Sequence, residues 1–109
     1  MSTVEALNWL YEKGTEEFEA GNFEEARQRF RRIISMTRDS QWVEKANAKL
    51  AQVYMEEDNL FWAMDHIRRA LKRDSRNPEY RYIKGKIHLE REEWHEAADE
   101  GVKAVERGL

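Results

Sequence analysis

The stretch LYEKGTEEFEAGNFEEA, residues Leu10–Ala26, decides the fold of this chain. Apolar residues recur at helical spacing on both sides of Gly21-Asn22, and a Gly-Asn pair between two such segments is typical of a short turn. Gly14 on the first segment and Ala26 on the second are small, so the two backbones can approach closely. The stretch therefore predicts two amphipathic helices packed as a hairpin.

The hairpin pattern occurs three times along the 109 residues. The repeated segments are GTEEFEAGNFEEARQRFRRII from Gly14, AQVYMEEDNLFWAMDHIRRAL from Ala51 and GKIHLEREEWHEAADEGVKAV from Gly85. The matching alanines Ala26, Ala63 and Ala97 lie 37 and then 34 residues apart, so the first junction carries three extra residues. One hairpin cannot bury its own apolar stripe and has to stack on the next, which predicts an α-solenoid.

Six helices follow from the repeat, with an A helix and then a B helix in each unit. We expect them at Val4–Ala20, Phe23–Thr37, Gln41–Glu57, Leu60–Arg73, Pro78–Arg91 and Trp94–Arg107. Pro78 suits the first turn of a helix, where its missing N–H costs nothing. The predicted fold class is all-α: a solenoid of three helix-turn-helix repeats, approximately 6–39, 43–77 and 78–109, in a single domain spanning 1–109.

Composition narrows the classes of function. Nineteen basic and 22 acidic residues give a formal net charge of −3, which offers nucleic acid no overall attraction. Two basic clusters, QRFRR and HIRRALKRDSR, are interleaved with acidic residues and are expected to form solvated helix faces. No apolar run approaches the ~20 residues of a membrane span, the N terminus lacks a signal-peptide pattern, and cysteine is absent. These features predict a cytoplasmic protein without nucleic-acid or membrane partners.

The repeat resembles the tetratricopeptide repeat (TPR) family, a helix-turn-helix unit of about 34 residues. The resemblance covers nearly the whole chain as three repeats. Leu10–Ala26 is its most specific piece, and the later repeats match through Ala51, Tyr54, Ala63 and Ala70 and through Gly85, Trp94, Ala97 and Ala104. Five positions depart from the family pattern: Asn47 and Arg81 replace large apolar residues, Glu17 and His88 replace a small residue or Tyr, and Gly101 replaces an apolar one.

The resemblance implies a non-catalytic module that binds a protein or peptide partner in the groove lined by the A helices. The partner-binding residues expected from it are Tyr11, Thr15, Phe18, Lys49, Gln52, Met55, Tyr82, Lys86 and Leu89. An alternative for Phe18, Met55 and Leu89 is that they close the hairpins. A TPR subclass clamps the acidic C-terminal tails of heat-shock chaperones, but its clamp residues are not matched at Tyr11, Thr15, Lys49, Glu79 or Ile83. We therefore expect no binding to those tails.

One face of the last helix is apolar, with Ala98, Val102, Val105 and Leu109 spaced by four, three and four residues. A terminal repeat is expected to turn a polar face outward. This face therefore predicts self-association as a homodimer, a partner surface, or continuation into a longer array. A designed or re-engineered repeat protein is a further alternative, because four Trp occur in so short a chain.

A possible second surface is formed by Phe61 and Trp62. Leu60 aligns with the apolar residue at the inter-helix turn and is expected in the core, which leaves its two aromatic neighbours at the solvent-facing start of a B helix. The alternative is that Trp42, in the longer first junction, covers one of them.

The sequence lacks the common catalytic and metal-binding signatures. The sequence has no phosphate loop, dinucleotide fingerprint or HExxH motif. His88, Glu92 and His95 are separated by a turn and lack a second helix with an inward His, so we expect no metal site and place His88 in the interior. The prediction is a protein that is not an enzyme and holds no cofactor.

Overall fold

The computed structural model describes residues 1–106 and 108, and within them the chain forms six α-helices and no strand. The helices are α1 (Thr3–Glu19), α2 (Phe23–Met36), α3 (Ser40–Glu56), α4 (Leu60–Arg73), α5 (Pro78–Glu90) and α6 (Trp94–Glu106). The all-α fold class is confirmed, and each predicted helix end that falls within the described residues lies within one residue of the observed end. The predicted end at Arg107 lies outside the described residues.

Local sequence explains where the helices begin and turn. Ser2 and Glu5 form a capping box at α1, and the side chains of Asp39, Asn59 and Asn77 accept hydrogen bonds from the first backbone N–H groups of α3, α4 and α5. Each hairpin turn contains one residue in the left-handed region, namely Gly21 (φ 82°), Asp58 (φ 59°) and Glu92 (φ 61°). Of these three turns, only the first has glycine, which adopts the left-handed conformation without steric cost, at this position.

Two apolar clusters that share α3 form most of the interior among the described residues. The first joins α1, α2 and α3 and contains Leu7, Leu10, Ala26, Phe30, Ile33, Ala46, Leu50 and Val53. The second joins α3, α4 and α5 and contains Ala48, Ala51, Ala63, Met64, Ile67, Ala70, Leu71, Tyr80, Ile83 and Ile87. Leu60 is half-buried and lies outside the fully buried set, so the expectation that it belongs to the core is met only in part.

Small residues set the spacing within each hairpin, as the sequence predicted. A Cβ atom added at Gly14 would lie 2.9 Å from two ring carbons of the fully buried Phe30. At Gly85 the same atom would lie 3.3 Å from the Cβ of Glu100. The first hairpin is therefore packed against a rigid ring at this point, whereas the third leaves slightly more room.

Polar pairs occupy interior positions where the repeat would otherwise place apolar residues. Arg81 and Lys84 of α5 lie 3.3 and 3.0 Å from the carboxylate of Glu100, which is only 4% exposed. At the equivalent place in the second repeat, Asn47 accepts a hydrogen bond from His66 at 2.8 Å. Because Asn47 and Arg81 each have a polar partner on the following B helix, these two polar groups are satisfied and the repeat geometry survives.

Candidate functional site

The A helices α1, α3 and α5 lie side by side, with α3 contacting both of the others. Between them is a pocket of about 300 Å³, adjoined by a second of similar volume along the first two turns of α5. Gln52, Glu79 and Ile83 line both pockets, so the two form one surface. We call it the A-helix groove; its lining residues are Tyr11, Lys45, Ala48, Lys49, Gln52, Asn77, Glu79, Tyr80, Tyr82 and Ile83.

Lysines lie over tyrosine rings at two places along this groove. The Nζ atom of Lys49 is 5.7 Å from the ring centroid of Tyr11, and that of Lys86 is 5.6 Å from the centroid of Tyr82. Such cation–π contacts hold the side chains flat against one another and leave an amphipathic surface of methylene groups and ring edges. Tyr82 is the more accessible of the two tyrosines, with 52% of its surface exposed.

The electrostatics of the groove are mixed in sign. Lys45 and Lys49 project from α3, and Glu79 faces them from the first turn of α5. Burial raises the pKa of the Tyr11 phenol above its usual value, and the nearby carboxylate of Glu79 raises it further. Tyr11 therefore stays a neutral hydrogen-bonding group, and the groove offers an approaching chain both a cationic side and an acidic side.

The structure brings together four of the nine groove residues expected from the sequence. Tyr11, Lys49 and Gln52 line the first pocket, and Tyr82 joins Gln52 in the second. Lys86 flanks the groove through its contact with Tyr82.

The other four expected groove residues lie outside the two pockets. Thr15 donates its hydroxyl to the carbonyl oxygen of Tyr11 at 2.8 Å. Phe18 and Met55 are half-buried, Phe18 against Phe23 of its own hairpin and Met55 against the second cluster, which favours hairpin closure for these two. Leu89 is exposed and makes no such closure.

Six lining residues are not among the nine expected, and two of these, Asn77 and Tyr80, also have structural roles in α5. Asn77 caps α5 by accepting the backbone N–H of Tyr80 at 3.1 Å. Tyr80 is buried, and that burial, with the carboxylate of Glu44 as the second cause, raises the pKa of its phenol. The spacing of Tyr80, Ile83 and Ile87 at three and four residues is the signal that identifies this face of α5.

The two other surfaces expected from the sequence are exposed. Val102 and Val105 are 56% and 69% exposed and Ala98 is exposed, whereas Leu109 lies outside the described residues. Phe61 and Trp62 are 73% and 45% exposed and pack edge to face with ring centroids 5.3 Å apart.

Trp42 does not cover that aromatic pair. Its ring packs edge-on against Tyr11, with centroids 6.1 Å apart, on the first cluster. The alternative proposed for Trp42 is thus not what the structure shows.

Residues 1–106 and 108 contain neither a candidate metal site nor a membrane-spanning helix. No group of three or more His, Asp or Glu side chains there is placed to hold a metal ion. His88 is buried, as expected, and its Nδ1 atom lies 3.0 Å from a carboxylate oxygen of Glu93. None of the described helices combines the length and the apolar character needed to cross a bilayer.

Comparison with known proteins agrees with this architecture. A family model described as tetratricopeptide repeat-like domain matches residues 10–108. Among solved structures, the C-terminal TPR-containing domain of a Plasmodium falciparum protein described as FK506-binding superposes with a TM-score of 0.81. It shares 20% identity, over 95% of this chain and 78% of that one, a level at which the likeness establishes the fold alone. No curated protein matches the sequence.

Proposed function

The chain belongs to the tetratricopeptide repeat-like domain family, and from this premise we propose that it is a non-catalytic interaction module that binds a segment of a partner protein in the A-helix groove. TPR domains generally mediate protein–protein interaction. The observation that carries the proposal is the pair of adjoining pockets between α1, α3 and α5, with the exposed Tyr82 at one end. Aromatic side chains give large contact area at low ordering cost, and they dominate peptide recognition.

The mixed charge of the groove indicates which partners suit it. The position of Glu79 in α5 is where the chaperone-binding subclass carries a lysine, and a carboxylate there repels the acidic C-terminal tails of heat-shock chaperones. We propose that the partner is not such a tail. A peptide or helix with an apolar side chain for the Tyr82 end, and with both an acidic and a basic residue, fits Lys49 and Glu79 together.

Selection of a phage-displayed random peptide library on the immobilised chain tests the groove. Peptides enriched on the wild type are then measured against Tyr82→Ala, which removes an exposed ring and leaves the core intact. We expect binding to weaken by about tenfold or more, as on loss of an aromatic residue that contributes strongly to an interface. Trp94→Ala is the matched control because its ring is also exposed but lies on α6, outside the groove. Peptides that bind Tyr82→Ala as tightly as the wild type contradict the groove.

Self-association through α6 is a second candidate, favoured by the exposure of Val102 and Val105. Multi-angle light scattering over a range of concentrations tests it. Val102→Glu is expected to shift a dimer to the monomer, while Lys103→Glu on the same helix gives the matched control for a change of surface charge. A wild-type chain that stays monomeric at every concentration contradicts this candidate.

A further inference from the structure

A second groove lies on the opposite side of α3, between the B helices α2 and α4. Among the described residues these two helices do not contact each other directly, and α3 lies between them. The resulting pocket has a volume of about 540 Å³, within the range of ligand-binding pockets. We call it the B-helix groove. Leu50 and Tyr54 of α3 form its floor, Arg31 and Ile34 of α2 one wall, and Trp62, His66 and Arg69 of α4 the other.

The aromatic lining of the B-helix groove is held in place. The rings of Tyr54 and His66 stack with centroids 5.3 Å apart and an interplanar angle of 13°, and Trp62 leans toward His66 at 6.4 Å. The side-chain N–H of Asn47 donates to the carbonyl oxygen of Val43 at 3.0 Å, so its oxygen accepts the Nδ1–H of His66 at 2.8 Å. This network fixes the histidine ring and, through it, the floor of the groove.

The charge at the rim of the groove is positive. Arg69 lies 3.0 Å from Asp65 in the preceding turn, whereas Arg31 is exposed and makes no ion pair within the described residues. Burial is the main cause that lowers the pKa of His66, and both arginines lower it further while Asp65 acts against them. The histidine is therefore neutral near pH 7, and the net positive charge comes from Arg31, because Asp65 balances the charge of Arg69.

The corresponding place between α4 and α6 is occupied by charged residues. There Lys84 stands in the position of Leu50, and Glu100 in the position of His66. The Glu100 carboxylate binds Lys84 and Arg81, so ion pairs lie at the positions equivalent to those of the aromatic rings in the B-helix groove. An aromatic pocket with cationic edges is thus specific to the α2–α4 side of the described chain.

We propose that the B-helix groove is a second docking site, which takes an acidic segment of a partner protein with one aromatic or aliphatic anchor. The anchor lies between Ile34 and Trp62 above Tyr54, and flanking Asp or Glu residues meet Arg31 and Arg69. Two features favour a peptide over a small ligand. The groove runs between helices of 14 residues, each about 21 Å long at 1.5 Å per residue. The ring of Trp62 in its wall also packs against the exposed Phe61, which adds apolar surface next to the pocket. Guanidinium groups suit carboxylates because they bind them with two parallel hydrogen bonds.

Fluorescence anisotropy with defined probes tests this site. The probe is a short labelled peptide with a central phenylalanine flanked on both sides by glutamates. Two matched probes carry alanine in place of the phenylalanine, or lysines in place of the glutamates. The peptide with phenylalanine and glutamates should bind the wild-type chain, and its affinity should fall as the salt concentration is raised. Each matched probe should bind at least about tenfold less tightly than this peptide. Peptide-induced shifts of the Trp62 indole N–H signal in NMR spectra should accompany binding.

Single substitutions locate the site on the chain. Trp62→Ala and Arg31→Glu change exposed side chains and are each expected to weaken binding by about tenfold. Arg32→Glu is the matched control because it reverses a charge on the adjacent, exposed residue that does not line the groove. Tyr82→Ala separates this site from the A-helix groove and should leave binding unchanged. The proposal is overturned if the glutamate probe does not bind the wild type or if the lysine probe binds more tightly than the glutamate probe. It is also overturned if Trp62→Ala binds the glutamate probe as tightly as the wild type does, or if Tyr82→Ala abolishes that binding.

Discussion

Substitution of alanine for the helical glycines tests how closely the hairpins are packed. A Cβ atom at Gly14 would lie 2.9 Å from Cε1 and Cζ of Phe30 and 3.2 Å from Cβ of Arg29. The Phe30 ring is fully buried, and Tyr11 packs edge-on against it with centroids 5.9 Å apart. The ring therefore has no free direction in which to move, and the backbones of α1 and α2 have to separate.

The expected magnitude is the difference of two effects. Alanine is favoured over glycine inside a helix by about 1 kcal/mol, whereas overpacking of a well-filled core costs about 1 to 3 kcal/mol. With two contacts below van der Waals distance on an immobile ring, the upper half of that range applies. Gly14→Ala should lower the free energy of unfolding by about 1 to 2 kcal/mol, equivalent to roughly 4 to 8 °C in Tm for a chain of this size.

Gly85→Ala is the matched control, and both variants are measured by urea and thermal unfolding followed by circular dichroism. At Gly85 the new atom would meet Cβ of Glu100 at 3.3 Å and the carbonyl oxygen of Ala97 at 3.5 Å, which a small shift relieves. Helix propensity then offsets the contact, and stability should stay within about 0.5 kcal/mol of the wild type. If Gly14→Ala is as stable as the wild type, or Gly85→Ala is the less stable variant, the packing argument is wrong.

Three further predictions concern polar groups and a turn. Glu100→Gln leaves Lys84 facing a neutral group in a partly screened site, so it should lower the free energy of unfolding, measured in urea, by about 2 kcal/mol. Asp99→Asn, at an exposed position on the same helix, should lower it by less than about 0.5 kcal/mol. Glu92→Gly removes a left-handed non-glycine residue and should raise stability by about 0.5 to 1 kcal/mol; a lower Tm would contradict this. Because the pKa of Tyr80 is raised above its usual value of 10.0, the folded chain should lose stability as pH rises above 10, and Tyr80→Phe should lose less over that range.

The helices were predictable because their signals are local. Apolar spacing, caps and turn residues act within a few positions of one another, and Pro78 and Phe23 begin the helices that they were expected to begin. The A-helix groove was predictable in part for a related reason. Once the repeat is aligned, its phase assigns each residue to a face, which places Tyr11, Lys49 and Tyr82 on one side of the layer.

The B-helix groove could not be predicted in the same way, because it depends on contacts between side chains distant in sequence. Phe61 and Trp62 were correctly expected outside the repeat's own core. His66, however, gave no local signal of its stack on Tyr54 or of its bond to Asn47, 19 residues away. The available clue was Asn47 itself, a polar residue at a position that favours a large apolar one.

The same pair of positions, one on the A helix and one on the B helix, is occupied by different residues in each of the three repeats. The pairs are Leu10 with Arg29, Asn47 with His66, and Arg81 with Glu100. In the second repeat the pair forms a neutral hydrogen bond beneath an open aromatic pocket, and in the third an ion pair fills the same space. In the first, Arg29 turns instead to Glu17 and to the ring of Trp9. Since the backbone repeats while these pairs do not, a departure from the repeat pattern that has a polar partner indicates where each groove acquires its own chemistry.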